Sequence, residues 1–153
     1  DKIKDSKFKF CTGWNKDDKS YNYGDNPKDI SWNKLRRKIN TVLMESCRLD
    51  EDKLLGPFFI SKSNVLDKND DDLFWKTFDN KVLMYLCDDA LRHRGNYQDL
   101  FNAVDGHTHL SYAWVHKEFE KKGLKIFNFN ENDLKDICVV ESENWSDTLK
   151  NEE

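Results

Sequence analysis

The residues that invite chemistry are three histidines, a run of carboxylates and two clusters of cations. His107, His109 and His116 offer imidazoles for a metal, but zinc asks for four ligands. No Cys or carboxylate stands at a ligand spacing from these histidines, so they read as loop histidines. Asp67-Lys68-Asn69-Asp70-Asp71-Asp72 has the density of a calcium loop. It carries Asp where such a loop needs its sixth-position Gly, and it has no Glu at the twelfth. Calcium is rejected, and the run reads instead as the acidic start of a helix, where the backbone dipole favours carboxylates. Arg92-His93-Arg94 before Gly95 reads as a cationic helix end closed by a glycine. Arg36, Arg37 and Lys38, with Lys34, form a basic helix face that is either solvated or meets phosphate or an acidic neighbour.

Other chemistry is missing. No G-x-x-x-x-G-K-[ST] run cradles a triphosphate, and no apolar strand ends in paired acids that would hold Mg²⁺. No Ser or Cys has a His and an acid in a recognisable arrangement. The pairs Asp88-Asp89 and Glu118 with Glu120 carry no information in a chain that is 35% charged. No catalytic residue and no metal site is assigned, and this sequence alone does not make an enzyme.

The elements that position these groups are mainly helical. Ser31 is suited to cap a helix from Trp32 to about Cys47, with Trp32, Leu35, Ile39, Val42, Leu43 and Met44 on one face. An acidic turn, Asp50 to Ser61, follows and is broken by Gly56-Pro57, a defined corner in which glycine is free to take angles closed to other residues. Leu73 to about His93 reads as a second helix whose stripe (Phe74, Phe78, Val82, Tyr85, Leu86, widened by Leu83, Met84 and Leu91) is broad enough to be buried on more than one side. Leu100, Phe101, Ala103 and Val104 extend the helical region to Asp105-Gly106. Ser111 caps a third helix, Tyr112 to Lys122, which Gly123 stops. Leu124 to Phe129 alternates, and Asp133, Leu134 and Ile137 suggest a last helical turn.

These readings predict a mainly α fold, a small helical bundle with a minor β or irregular N-terminal segment. Residues 1–30 form that polar segment, residues 31–138 the helical domain and residues 139–153 an acidic tail. The first segment holds a short strand at Phe8-Lys9-Phe10 and aromatic islands at Trp14, Tyr21 and Tyr23. Those islands either fold back onto the domain or stack on bases.

The chain has 153 residues, 37% of them hydrophobic and 13% aromatic, enough for one domain with a small core under a charged surface. A net charge of −4 argues against a general nucleic-acid binder while leaving room for a local basic patch. Cys11, Cys47, Cys87 and Cys138 are scattered and read as free thiols in a reducing cytosol. No apolar run approaches the ~20 residues of a membrane span and no signal peptide opens the chain, so a cytoplasmic protein without membrane contact is expected. A chain opening at Asp1 in a polar run, without Met, is expected to be a piece of a longer polypeptide.

Two stretches carry a family resemblance. Glu51-Asp52-Lys53-Leu54-Leu55-Gly56-Pro57-Phe58-Phe59-Ile60-Ser61, followed by Phe78-x-x-Lys81-Val82-Leu83-Met84-Tyr85-Leu86-x-x-Asp89, resembles the C-terminal part of the AAA+ module of McrB-type restriction NTPases. Upstream, Trp32-x-x-Leu35-Arg36-x-x-Ile39-Asn40 resembles the helix that precedes that turn. Leu100-Phe101 and Gly123-x-x-Ile126-Phe127 stand where relatives carry similar pairs. The resemblance covers residues 30–128 and implies an AAA+ lid, non-catalytic by itself, whose P-loop and magnesium acids lie upstream. It implies structural or subunit-contact roles for Lys53, Gly56, Pro57, Lys81 and Asp89. It also implies that Arg92 or Arg94 reaches nucleotide phosphates. GTP or ATP with Mg²⁺ in the full-length protein, neighbouring AAA+ subunits in a ring, a McrC-type nuclease and, indirectly, DNA are the implied cofactors and partners. The competing expectation is a self-contained helical binding module that recognises a protein or nucleic acid through Trp14, Tyr21, Tyr23 and the Arg36–Lys38 face.

Overall fold

A computed structural model describes residues 7–61, 70–102 and 109–139. The readings made on Asp67–Asn69, on Ala103 to Thr108 and on the tail Glu141–Glu153 lie outside the described residues. The fold is mainly α with small antiparallel pairs at the N-terminal end, as the patterning predicts. Strand β1 (Lys7–Lys9) pairs with β4 (Asp29–Ser31), Phe8 facing Ile30. Between them, β2 (Gly13–Asn15) and β3 (Ser20–Asn22) form a hairpin in which Trp14 faces Tyr21. Its tip is tied locally, the Asn15 side-chain oxygen accepting from the backbone N–H groups of Asp17 and Asp18.

Helices α1 (Trp32–Glu45), α2 (Asp71–Thr77), α3 (Tyr112–Lys122) and α4 (Glu131–Ile137) start at Ser31, Asp70, Ser111 and Asn130. Each of these side chains accepts a hydrogen bond from a first-turn backbone N–H, satisfying a donor the helix itself cannot. Asn130 and Asp133 complete a reciprocal capping box.

The second helix is not plain α. After α2 it continues through two π-helical stretches, Phe78–Leu83 and Leu86–Ala90, and the backbone N–H of Leu91 donates to the carbonyl of Leu86. The sequence accounts for this. Buried residues come in pairs at a strict spacing of four: Phe74-Trp75, Phe78-Asp79, Val82-Leu83, Leu86-Cys87 and Ala90-Leu91. An α-helix with 3.6 residues per turn would rotate each successive pair by about 40° away from the core. The wider turns of i→i+5 bonding take up that drift and keep all five pairs inward.

The core gathers around this helix. Phe8 stacks on Phe74 with ring centroids 3.8 Å apart, and the Trp75 indole N–H donates to the carbonyl of Lys9 at 2.9 Å. The N-terminal strands therefore share one hydrophobic cluster with the helices. Of the aromatic islands, Tyr21 is buried, and Tyr23 donates its hydroxyl to the Asp72 carboxylate. Trp14 packs edge-on to Tyr21 at 4.7 Å and remains half-buried.

Several details depart from the sequence reading: Met44 and Met84, expected on the buried stripes, are exposed, and Phe101, expected to extend the helical region, forms a β-bridge. The helical end is closed by His93 in the left-handed region (φ 63°), not by Gly95, which opens a 3₁₀ turn, Gly95–Asp99. Gly56 does not take a left-handed angle either, and a side chain there would meet open space. The apolar alternation after Gly123 forms a 3₁₀ turn, Gly123–Ile126, followed by a bridge from Phe127 to Phe101.

Gly123 is the glycine the fold requires. Its φ is +60°, and an added Cβ would lie 2.1 Å from the carbonyl oxygen of Cys11. Gly123→Ala is expected to cost at least about 2 kcal/mol, while Gly95→Ala, in open space, leaves the urea midpoint near that of the parent.

Candidate functional site

The acidic turn becomes a clamped unit. Its first residues form a 3₁₀ turn, Glu51–Lys53, and its corner closes where the backbone N–H of Phe59 donates to the carbonyl of Gly56. Helix α1 grips it from one side. The Asn40 amide donates to the carbonyl of Leu55 at 2.9 Å, and its oxygen accepts from the N–H of Leu55 at 2.8 Å. Arg36 donates to the same carbonyl at 3.1 Å, and the Trp32 indole donates to the carbonyl of Pro57 at 3.4 Å. The long helix grips it from the other side. The Tyr85 hydroxyl donates to the carbonyl of Lys53, and the Phe59 and Tyr85 rings lie 5.0 Å apart. Lys53 pairs with Asp89 at 2.9 Å, and the Lys81 ammonium sits 5.6 Å over the Phe59 ring.

Lys53, Lys81 and Asp89 are thus brought onto one surface beside the Gly56-Pro57 corner, where Phe58 is 63% exposed. The pairing of Lys53 with Asp89 raises the lysine pKa, chiefly through their hydrogen bond.

The basic face of α1 is dispersed by contrast. Arg36 is held by Leu55 and Asn33, and Lys38 bridges Asp133 and Asp136 of α4. Arg37 stays exposed.

At the far end of the long helix, Arg92 and Arg94 line a single cleft of about 690 Å³ with Asp88, His93, Tyr97 and His109. Arg94 donates to the carbonyl of Cys47 at 3.5 Å, which holds its stem along the rim. Arginines and imidazoles outnumber the one carboxylate, so the cleft favours an anion. Cys87 lines it too, but burial pushes that thiol well above its ordinary pKa and leaves it a poor nucleophile.

A polar network built on one buried carboxylate adjoins the cleft, and the sequence pattern did not reveal it. Asp79, inside the first π-helical stretch, accepts from Tyr112 Oη at 3.0 Å and from His116 Nδ1 at 2.6 Å. The His116 Nε2 faces Glu120 at 3.7 Å. His116 thus lies on α3 and not in a loop, bonded to Asp79, and no group of metal-ligating side chains is found among the described residues. The signal that would have found this network is Asp79 within the period-four pairs.

All four cysteines are free thiols. Burial pushes Cys11 up to about 12 and Cys47 up to about 11. No described helix is long and apolar enough to cross a membrane.

Two outcomes follow for stability. Asn40→Ala orphans the buried N–H of Leu55 and is expected to cost about 2 kcal/mol by chemical denaturation, whereas Lys53→Ala, which removes an exposed pair, leaves the melt nearly unchanged. Burial, the largest influence, raises the Asp79 carboxyl pKa, and His116 and Tyr112 pull it back. The folded state thus holds this proton more tightly than the unfolded chain. That contribution is full below the ordinary carboxylate range and is lost as pH rises through the raised value. Stability measured against pH is expected to show this decline in the parent and to lose it in Asp79→Asn.

No protein-family model matches the chain, and no solved structure matches it. A stretch of 84 residues, 55% of the chain, is 38% identical to the Type II restriction enzyme BsuMI component YdiS of Bacillus subtilis (strain 168). The match spans 22% of that protein, so the chain corresponds to about a fifth of the relative's length. Over slightly more than half its residues, this chain is similar to a component of a restriction enzyme.

Proposed function

We propose that this chain is the lid-containing C-terminal part of a McrB-like AAA+ NTPase subunit, acting in a DNA restriction or defence system. The observation that carries the reading is the convergence of its separate landmarks. The α1 motif, the acidic turn and the Lys81–Asp89 stretch close on one another through Asn40, Tyr85 and the Lys53–Asp89 pair. The similarity to a restriction-enzyme component points to the same kind of system.

In this reading the lid is non-catalytic in isolation. GTP or ATP with Mg²⁺ is bound by an upstream P-loop part, and the Arg92–Arg94 cleft turns toward the phosphates. The surface of Lys53, Lys81 and Asp89, with the Gly56-Pro57 corner, meets the next subunit of a ring. Nucleotide turnover then moves the lid as a rigid body, because the turn is fastened to both helices and cannot shift alone. A McrC-type nuclease and modified DNA are the partners of the assembled motor, in the cytoplasm.

The binding-module alternative loses most of its proposed contacts, since Tyr21 is buried, Tyr23 is bonded to Asp72, and Arg36 and Lys38 are held internally. The lid reading is tested by turnover. The purified chain is expected to hydrolyse neither GTP nor ATP, and hydrolysis by it overturns the reading. In a longer subunit that carries the P-loop, Arg92→Ala or Arg94→Ala is expected to lower hydrolysis about a hundredfold, as loss of a preorganised cation at developing charge does.

A further inference from the structure

A second cleft lies on the opposite side of α3 from the Asp79 network's tyrosine. It measures about 480 Å³ and is lined by Trp14, Lys16, Asn22, Lys117, Glu120 and Lys121. Trp14 comes from β2 and is half-buried, its ring held edge-on by Tyr21. The Lys76 ammonium sits over one face of the indole, 5.8 Å from its centroid, so a base would stack on the other. Lys117 and Lys121 are one helical turn apart on α3, so both ammonium groups leave the same helix face.

Acidic groups lie nearby, and Glu120 lines the cleft itself. Glu120 faces His116 Nε2, and Glu118 pairs with Lys122 at 3.1 Å and more loosely with Lys121 at 3.6 Å. At the hairpin tip the Asp18 carboxylate accepts from the Asn15 amide at 3.1 Å, while Asp17 is tied to Asn15 through its backbone N–H. The Lys121 side chain is 73% exposed, and its 3.6 Å separation from the largely buried Glu118, which Lys122 approaches more closely, leaves it loosely held. The cleft is thus a locally cationic patch on a chain of net charge −4, with a fixed aromatic ring at its wall.

We propose that this cleft binds single-stranded nucleic acid, with Lys16, Lys117 and Lys121 neutralising backbone phosphates and Trp14 supplying a surface for an unstacked base. Lysines alone would serve any polyanion. The indole selects a strand whose bases are free, because stacking on an aromatic side chain requires a base outside a duplex. Asn22 adds an amide that can reach a base edge or a sugar. The inference stands on this cleft alone and does not depend on the lid reading.

The test is anisotropy of a labelled oligothymidylate of about ten nucleotides titrated with the purified chain at several salt concentrations. Three phosphate contacts predict about a fourfold loss of affinity for each doubling of salt. Trp14→Ala is expected to weaken binding about tenfold or more at every salt concentration, without altering the salt slope. Lys117→Glu with Lys121→Glu, on exposed positions that leave the fold intact, is expected to abolish binding. Affinity independent of salt, binding unchanged in the double Glu variant, or equal displacement by polyglutamate and by unlabelled oligothymidylate would each overturn the proposal. Should Trp14→Ala unfold, a hairpin duplex of the same length serves as the second measurement. Weaker binding of the duplex supports base stacking, and equal binding refutes it.

Discussion

The ring of Phe78 is the point on which the rest of the structure converges. Five other aromatic rings lie within 5.3–6.3 Å of it: Trp32 from α1, Phe74 and Trp75 from α2, Phe119 from α3, and Phe127 after the last 3₁₀ turn. A chain that is 35% charged has few apolar residues with which to exclude water. It compensates with large rings, each of which buries more area than an aliphatic side chain and adds edge-to-face attraction. Phe8 extends the cluster to β1 through its stack on Phe74. The strands are therefore part of the core's closure, even though their ladders are too short to stand alone.

Keeping Phe78 inward over the whole length of its helix has a structural consequence. Buried pairs spaced by four residues call for a helix that turns more slowly than α, and the π-helical stretches provide it. The same register turns Asp79 inward beside Phe78. A carboxylate placed there needs partners, and α3 supplies Tyr112 and His116. One geometric requirement thus explains the unusual helix, the buried acid and the polar seam that orients α3. Through α3 it also fixes the positions of Lys117 and Lys121 at one cleft and of Tyr112 at the other.

The clamp on the acidic turn works by a different physics. It relies on side chains bonding to backbone, chiefly Asn40 on both polar groups of Leu55, with Arg36, Trp32 and Tyr85 adding further bonds. Such bonds hold a segment that has no regular ladder of its own. They also explain why a motif containing Arg36 and Asn40 lies on α1. These residues face the turn, which leaves Arg37 as the exposed member of the basic run. The exposed Phe58, Lys81 and Asp89 then lie on a surface that is rigid relative to both helices.

By itself, the sequence determined the local rules. Ser31, Asp70 and Ser111 mark helix starts because their side-chain oxygens can reach first-turn N–H groups, and Gly123 marks a stop because a left-handed residue with a crowded Cβ site admits little else. The mainly helical class and the central role of the Phe74–Leu91 stripe were legible for the same reason: each rests on neighbours a few residues apart. What depends on distant partners was decided only by tertiary structure. The burial of Asp79 against His116, the joining of Lys53 to Asp89 and the capture of Arg36 and Lys38 all require residues between 19 and 98 positions away. Side-chain type states what a residue can bond to. Only the packed chain decides which partner is within reach, because burial of the rings fixes the distances first and the polar groups then pair where they are left.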